Sequence, residues 1–109
     1  MQVELLVASG DIQEKAEIES KEEGWTFPIG FGLTVGQMRE LGLYISSPRS
    51  DQETDRPFPE PGLFLTTPEG KLQLIDISNA PFSRPDLAQI VNGLRIIQEK
   101  SYPIRGIQV

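Results

Sequence analysis

Two β-rich runs separated by a short turn constrain the fold more than any other feature of this sequence. Gly62–Thr67 and Lys71–Ser78 flank the tripeptide Pro68-Glu69-Gly70. Proline presets a φ of about −65° and glycine accepts a positive φ, so this segment predicts a β-hairpin. The second half of the chain is therefore predicted to contain an antiparallel strand pair.

An amphipathic helix is predicted directly after the hairpin, at about 84–99. Ser83 and Asp86 bracket Pro85 in its first turn, where proline is well tolerated. Gly93 costs a helix about 1 kcal/mol relative to alanine, so we expect the helix to pack closely against a sheet there. The apolar residues at helical spacing predict one buried stripe: Leu87, Ile90, Val91, Leu94 and Ile97.

The first third of the chain predicts a strand, a helix and an extended segment. The apolar run Val3–Ala8 indicates a strand at about 2–8 that is buried on both faces. Ile12–Glu23 is rich in helix formers, and its acidic face indicates a solvated helix surface rather than a docking face. Trp25–Gly32 lacks the spacing and lysine of a phosphate loop, so we expect a buried, extended crossing segment.

A second, shorter helix is predicted at about 35–41. Thr34 and Gln37 have capping-box spacing, and Gly42 stands where a helix commonly ends. The apolar run Leu43–Ile45 that follows is expected to belong to the core.

The stretch from Ser46 to Pro61 is polar and rich in proline, and we expect no packed element in it. A loop of this length is either a mobile insert or a segment that covers a site. Glu53 and Asp55 form a possible carboxylate pair within it. Acid–base chemistry requires two carboxylates in different fixed environments, so the pair is interpreted as solvated.

Composition excludes many functions for this chain of 109 residues, which is long enough for one domain. It has no Cys and no His, so thiol and imidazole chemistry are absent, and no cofactor or metal is expected. The net charge of −6 repels nucleic acid and anionic membranes. With no signal peptide or membrane span evident, a cytoplasmic location is expected.

The order strand, helix, extended segment, helix, hairpin, helix is that of the later part of a thioredoxin-like fold. The hairpin from Gly62, its Gly70 turn, the loop Asn79–Arg84 and the last helix resemble peroxiredoxins of the alkyl hydroperoxide reductase and thiol-specific antioxidant group. Proteins of that group have a Gly-Leu-Phe-Ile-Ile-Asp strand, a glycine turn, a second strand and an Asn/Asp-x-Pro-x-x-Arg loop before a helix.

A peroxiredoxin-like branch of that group is the best match, and the resemblance covers nearly the whole chain. Phe27–Leu33 is similar to its Leu-Pro-Ile-Gly-Tyr-Gly-Leu segment, Gly42–Ser46 to its Gly-Leu-Tyr-Ile-Ser segment, and Ser101–Gly106 to its Asp-Tyr-Pro-x-Arg-Gly ending. The resemblance implies an α/β fold with a thioredoxin-like sheet flanked by helices, of which residues 1–109 form a partial domain. In the group, the first strand and the redox-cysteine helix precede the strand matched by Val3–Ala8.

The resemblance implies a role or an environment for three positions. Pro61 matches a position where thioredoxin-like proteins commonly place a cis-proline facing the redox site, although an ordinary loop proline is equally expected. Gln73 stands where ordinary peroxiredoxins have an arginine that helps to activate the thiolate. Arg84 matches the loop arginine and forms either a subunit contact with a carboxylate or a surface ion pair.

The missing strand would lie between Val3–Ala8 and Gly62–Thr67, so both are expected to present open edges. We expect the chain either to close its sheet in a rearranged order or to form a dimer by strand pairing or swapping. Two functions follow: the C-terminal part of an antioxidant oxidoreductase that is inactive alone, or a non-enzymatic dimerisation or protein-binding module derived from a redoxin. The full-length relative would use a thiol reductant. A carboxylate hydrolase is disfavoured, because no paired acids stand on rigid elements.

Overall fold

A computed structural model describes residues 3–24, 27–50 and 55–108, which form a mixed α/β structure. Its helices are α1 (Gln13–Glu23), α2 (Val35–Glu40) and α3 (Leu87–Lys100), with a 3-10 turn at Pro81–Ser83. Its strands are β1 (Val7–Ala8), β2 (Ile29–Gly30), β3 (Ile45–Ser46), β4 (Phe58–Pro59), β5 (Gly62–Thr66) and β6 (Leu72–Ile77).

The strands in the described part of the chain pair into three separate two-stranded sheets. β1 and β2 are parallel, with Val7 opposite Ile29, and α1 connects them as the crossover helix of a βαβ unit. β3 and β4 are antiparallel, and so are β5 and β6. Each sheet thus covers only a small area, which limits what a helix can bury against it.

The predicted hairpin is confirmed. Leu63 lies opposite Asp76, and the register shifts between Leu65 and Thr66, which leaves Gln73 as the extra residue of a bulge. The turn is closed by a hydrogen bond of 2.9 Å from the Gly70 amide to the Thr67 carbonyl, and Gly70 has a φ of 83°. Glycine accepts that backbone conformation without a steric penalty.

The predicted second helix is confirmed together with its capping box. The Thr34 hydroxyl accepts a hydrogen bond of 3.1 Å from the Gln37 amide, and the Gln37 side chain accepts one of 2.9 Å from the Thr34 amide. Gly42, with a φ of 75°, follows the last turn. Met38 on this helix is 1% exposed, and among the described residues it is the only buried hydrophobic side chain.

The N-terminal strand is much shorter than predicted. Within its described part, residues 3–8, only Val7 and Ala8 pair with another strand, and Val3, Leu5 and Leu6 are exposed. Gln2 of the prediction lies outside the described residues. An apolar run is buried on both faces only when strands and helices surround it, and β1 has one partner of two residues. The helix predicted at 12–23 is confirmed as α1.

The crossing segment is confirmed as extended at β2, but Phe31 beyond it is exposed. Trp25 and Thr26 of that prediction lie outside the described residues. Tyr44 in the expected core run Leu43–Ile45 is 57% exposed, so the core prediction is wrong for that residue.

The last helix is confirmed as an element, but no residue of its predicted stripe is fully buried, and Ile90, Leu94 and Ile97 are half-buried. Asp86 is its N-cap residue, so α3 begins at Leu87 rather than at 84. Leu87 is 70% exposed, Val91 is also exposed, and α3 has no buried residue. A Cβ at Gly93 would meet nothing within 4 Å, so the expected close packing at that glycine is wrong as well. The apolar stripe has no broad sheet to lie on.

The long middle segment is not devoid of structure. Ile45 pairs with Pro59 and Ser46 with Phe58, so β3 and β4 close the base of the loop that the sequence left unstructured. Pro59 is compatible with this pairing, because the Glu60 amide bonds to the Tyr44 carbonyl and the nitrogen of Pro59 therefore faces away from β3. Glu53 of the proposed carboxylate pair lies outside the described residues.

The incomplete burial is also seen in the dimensions of the chain. The radius of gyration over Cα atoms is 15.6 Å. A compact domain of this length has a radius of gyration of about 13 Å. None of the described helices is long and apolar enough to cross a membrane.

Candidate functional site

Pro61 lies between β4 and β5, at the open end of the hairpin. It is half-buried, and its carbonyl accepts a hydrogen bond of 2.9 Å from the Ser78 amide. The peptide bond before Pro61 is trans, because the described residues contain no cis peptide bond. Of the two alternatives that the sequence left open, the structure therefore has the ordinary loop proline.

Two buried and two half-buried polar residues lie around this point, and we name them the hairpin-base cluster: Glu60, Ser78, Ser46 and Asp76. Ser78 is 5% exposed and Glu60 is 9% exposed. The Ser78 hydroxyl lies 3.0 Å from an Asp76 carboxylate oxygen and 3.1 Å from the Ser83 carbonyl, and it can donate its one proton to either. Ser78 therefore connects β6 to both Pro61 and the 3-10 turn.

Glu60 is held in the cluster by the pairing of β3 with β4. The Ser46 hydroxyl donates a hydrogen bond of 3.3 Å to the Glu60 carboxylate, and the Glu60 amide donates one of 2.8 Å to the Tyr44 carbonyl. A buried carboxylate is costly unless it is hydrogen-bonded, so the Ser46 hydroxyl is part of what makes this burial possible.

Arg84 directly follows the 3-10 turn and is exposed. Its Nε donates a hydrogen bond of 3.1 Å to the Pro81 carbonyl. Since Ser78 contacts the Ser83 carbonyl, the turn that carries Arg84 lies at the same end of the hairpin as Pro61. The guanidinium is therefore positioned at the surface beside the hairpin-base cluster.

Gln73 is not brought to that end of the hairpin. It lies on β6 at the bulge, and its Nε2 donates a hydrogen bond of 3.4 Å to the Tyr102 carbonyl. Ser78 lies five positions further along the chain, which corresponds to roughly 17 Å at about 3.4 Å per residue. The structure thus brings Pro61 and the Arg84 turn together and places Gln73 apart from them.

Asp55 and Arg56 form an exposed ion pair in the middle segment. Arg56 Nε lies 2.8 Å and Arg56 Nη2 3.0 Å from the two Asp55 carboxylate oxygens. The hydrogen bond from Arg56 lowers the pKa of Asp55, and the same bond raises the pKa of Arg56. Asp55 therefore has a cationic neighbour in the described residues, and its proposed carboxylate partner Glu53 lies outside them.

The chemistry available at the hairpin-base cluster is hydrogen bonding. Its hydroxyls donate to carboxylates or to a carbonyl, and activation of a serine nucleophile needs an adjacent general base such as an imidazole, which this chain does not contain. The described residues contain no group of three or more carboxylates that could hold a metal ion. The cluster is suited to fixing the end of the hairpin.

The sequence interpretation did not find Glu60 and Ser78. Glu60 stands between two prolines, and Ser78 directly follows the last strand, so each occupies a place where a polar side chain meets an element boundary. Their burial depends on contacts between residues distant in sequence, such as the 14-residue separation of Ser46 and Glu60. A contact between residues so far apart in sequence leaves no periodic pattern from which the burial could be predicted.

Comparison of the chain with family models, with curated proteins and with solved structures finds no match.

Proposed function

We propose that this chain is the C-terminal part of a peroxiredoxin-like protein of the antioxidant oxidoreductase class. In this proposal its fold is a partial thioredoxin-like domain, and the redox cysteine belongs to a strand–loop–helix unit outside the given sequence. The chain then contributes the scaffold on which that unit sits, and it performs no redox chemistry alone.

The order and direction of the paired strands carry the proposal. β1, α1 and β2 form a parallel βαβ unit, and β5, β6 and α3 form an antiparallel ββα unit. A thioredoxin-like fold has a βαβ half followed by a ββα half; in this proposal β1 is the closing strand of the first half, and β5, β6 and α3 are the second half. Of the segments that resemble the family, Phe27–Leu33 includes β2, and Asn79–Arg84 forms the turn before α3. Gly42–Ser46 includes β3, and Ser101–Gly106 follows α3.

The absence of sulfur nucleophiles determines the expected activity. Peroxide reduction requires a thiolate that attacks the O–O bond, and this chain has no Cys. Its hydroxyl groups have no imidazole neighbour, because the chain has no His. The chain alone is therefore expected to show no peroxide turnover.

Two observations test the proposal. In a peroxide-consumption assay with a thiol reductant, the purified chain should match the rate without protein, and clear turnover would contradict the cysteine argument. The coding DNA before the Met1 codon should encode, in frame, a strand followed by a Cys-x-x-Cys helix. Coding DNA with no such segment would contradict the assignment as a C-terminal part.

A non-enzymatic dimerisation or protein-binding module derived from a redoxin is the second candidate. It is favoured by the apolar side chains exposed on and before α3, where Phe82 is 92% exposed and Leu87, Val91 and Ile96 are also exposed. The two candidates predict different coding DNA before the Met1 codon, and both predict no peroxide turnover by this chain.

A further inference from the structure

The backbone of β5 has an edge that is not used within the described residues. The Ser78 amide donates to the Pro61 carbonyl, and the Thr67 amide donates to the Lys71 carbonyl. In an antiparallel ladder, alternate residues of a strand point their N–H and C=O groups to the same side. The backbone hydrogen-bonding groups therefore face β6 at Pro61, Leu63, Leu65 and Thr67. The backbone groups face outward, away from β6, at Gly62, Phe64 and Thr66.

These outward groups are accessible. Gly62 and Thr66 are exposed and Phe64 is half-buried, and no described hydrogen bond joins another segment to their backbone atoms. A row of unpaired amides and carbonyls on a strand is a template for another strand.

The edge also lacks the features that usually prevent strand addition. Proteins protect edge strands with charged residues, with proline inside the strand or with a bulge on the edge strand itself. The stretch from Pro61 to Pro68 contains no charged residue, β5 contains no proline, and the extra residue of the hairpin bulge stands on β6. In contrast, β6 contains Asp76 and follows Lys71.

A second copy of this chain can occupy this edge because β5 carries no charge and can face itself across a two-fold axis. Two copies with a net charge of −6 repel each other, so self-association requires a contact strip free of like charges. β5 is such a strip, and a two-fold axis places it against itself.

We infer that two copies of this chain associate through β5, antiparallel, with Phe64 opposite Phe64 of the second copy. In this register Gly62 of each copy lies opposite Thr66 of the other copy. Each of the three facing residue pairs exchanges two backbone hydrogen bonds, so six form in total. The product is a four-stranded sheet in the order β6, β5, β5, β6. The two facing Phe64 rings form an aromatic cross-strand pair. This inference concerns the 109-residue chain alone, because in the full-length protein of the proposed function the missing strand would pair with this same edge of β5.

The interface is expected to be weak. A strand of five residues buries less than the about 1,200 Å² at which stable protein interfaces begin, so we expect dimers at protein concentrations of roughly 0.1 mM and above. Sedimentation equilibrium over a range of concentrations measures this association.

Hydrogen exchange of the wild-type chain tests the register residue by residue. The amides of Gly62, Phe64 and Thr66 should become at least 10-fold more protected as concentration rises through the dimerisation range. The amides of Leu63 and Leu65 point to β6 and should be protected at every concentration. This measurement needs no variant, so the test stands even where a substitution prevents folding.

Thr66→Pro provides a matched variant, because it removes an outward N–H and leaves the hydrogen bonds to β6 in place. Thr66→Pro should lose the dimer and keep protection at Leu63 and Leu65, and Thr66→Val should keep both. A chain that stays monomeric to about 1 mM, or a dimer in which Gly62, Phe64 and Thr66 exchange freely, would overturn the inference.

Discussion

The side chain of Leu43 occupies the space into which a Cβ at Gly62 would project. A Cβ built at Gly62 would collide with Leu43 Cδ2 and lie 3.3 Å from Phe64 Cε2. This contact joins the segment after α2 to the first residue of β5, and only glycine fits there without displacing a neighbour. A side chain at Gly62 therefore requires the Leu43 side chain to move.

Gly62→Ala should therefore destabilise the chain, but by less than the about 1–3 kcal/mol that overpacking a core costs, because the colliding atom is the end of a flexible side chain. Urea unfolding measures the change. Combined with Leu43→Ala, the substitution should cost less than it does in the wild-type background, because the colliding side chain is then removed. Equal costs in the two backgrounds would refute the contact.

Gly93→Ala should stabilise the chain, in contrast to Gly62→Ala. The space around Gly93 is open, and the residue lies inside α3 with no positive φ. Alanine in a helix interior is favoured over glycine by about 1 kcal/mol, so the free energy of unfolding should rise by up to that amount. A loss of stability in the same urea experiment would indicate that α3 packs closely at this residue.

Thr34→Ala should cost about 1 kcal/mol of stability, because the exposed amide of Gln37 loses the hydroxyl that caps it. Thr34→Ser keeps an acceptor oxygen at the same position and serves as the control. Thermal unfolding followed by circular dichroism compares the two variants. Equal melting temperatures would show that the capping box does not stabilise α2.

Ser78→Ala should cost about 1–3 kcal/mol, because the Asp76 carboxylate and the Ser83 carbonyl lose a buried donor. Ser83→Ala removes an exposed hydroxyl and leaves the carbonyl acceptor in place, so it should change stability little. Protection of the Arg84 amide, which bonds to the Pro81 carbonyl at 3.4 Å, reports whether the 3-10 turn has detached. Equal effects of the two substitutions would contradict a connecting role for Ser78.

The Asp55–Arg56 pair gives a pH-dependent prediction. The hydrogen bond from Arg56 lowers the pKa of Asp55 in the folded chain, so the pair contributes stability above the ordinary aspartate pKa. That contribution is lost as the pH falls through the lowered value. Because the pair is fully exposed, its effect on the free energy of unfolding should be too small to measure.

The pKa of Asp55 itself is measurable by carboxyl NMR titration. Arg56→Gln should raise it toward the ordinary value, and Lys15→Gln should raise it less, since Lys15 is the last of the contributions that lower it. Arg84→Gln is the control and should leave it unchanged. A titration of Asp55 that is the same with and without Arg56 would show that the ion pair is absent in solution.

The parts of the fold that depend on neighbours in sequence could be predicted from the sequence. The hairpin is specified by its Pro68 and Gly70 turn, and α2 is specified by the reciprocal bonds of Thr34 and Gln37. Both involve short sequence separations, where turn chemistry and capping determine the backbone conformation.

Burial could not be predicted in the same way. The apolar residues of α3 fall at helical spacing, yet Leu87 and Val91 are exposed because periodicity indicates a face and not what covers it. The hairpin-base cluster was missed for the converse reason. Glu60 and Ser78 are polar residues buried by long-range pairing, and a sequence pattern assigns such residues to the surface.

The separation of the described strands into three independent pairs has a consequence for cooperativity. Since no backbone ladder connects one pair to the next, loss of the short β1–β2 pair leaves the hydrogen bonds of the hairpin intact. Melting of a dilute sample should therefore proceed in stages, with a van't Hoff enthalpy smaller than the calorimetric one. A single all-or-none transition in scanning calorimetry would mean that side-chain contacts alone are enough to make the three pairs unfold together.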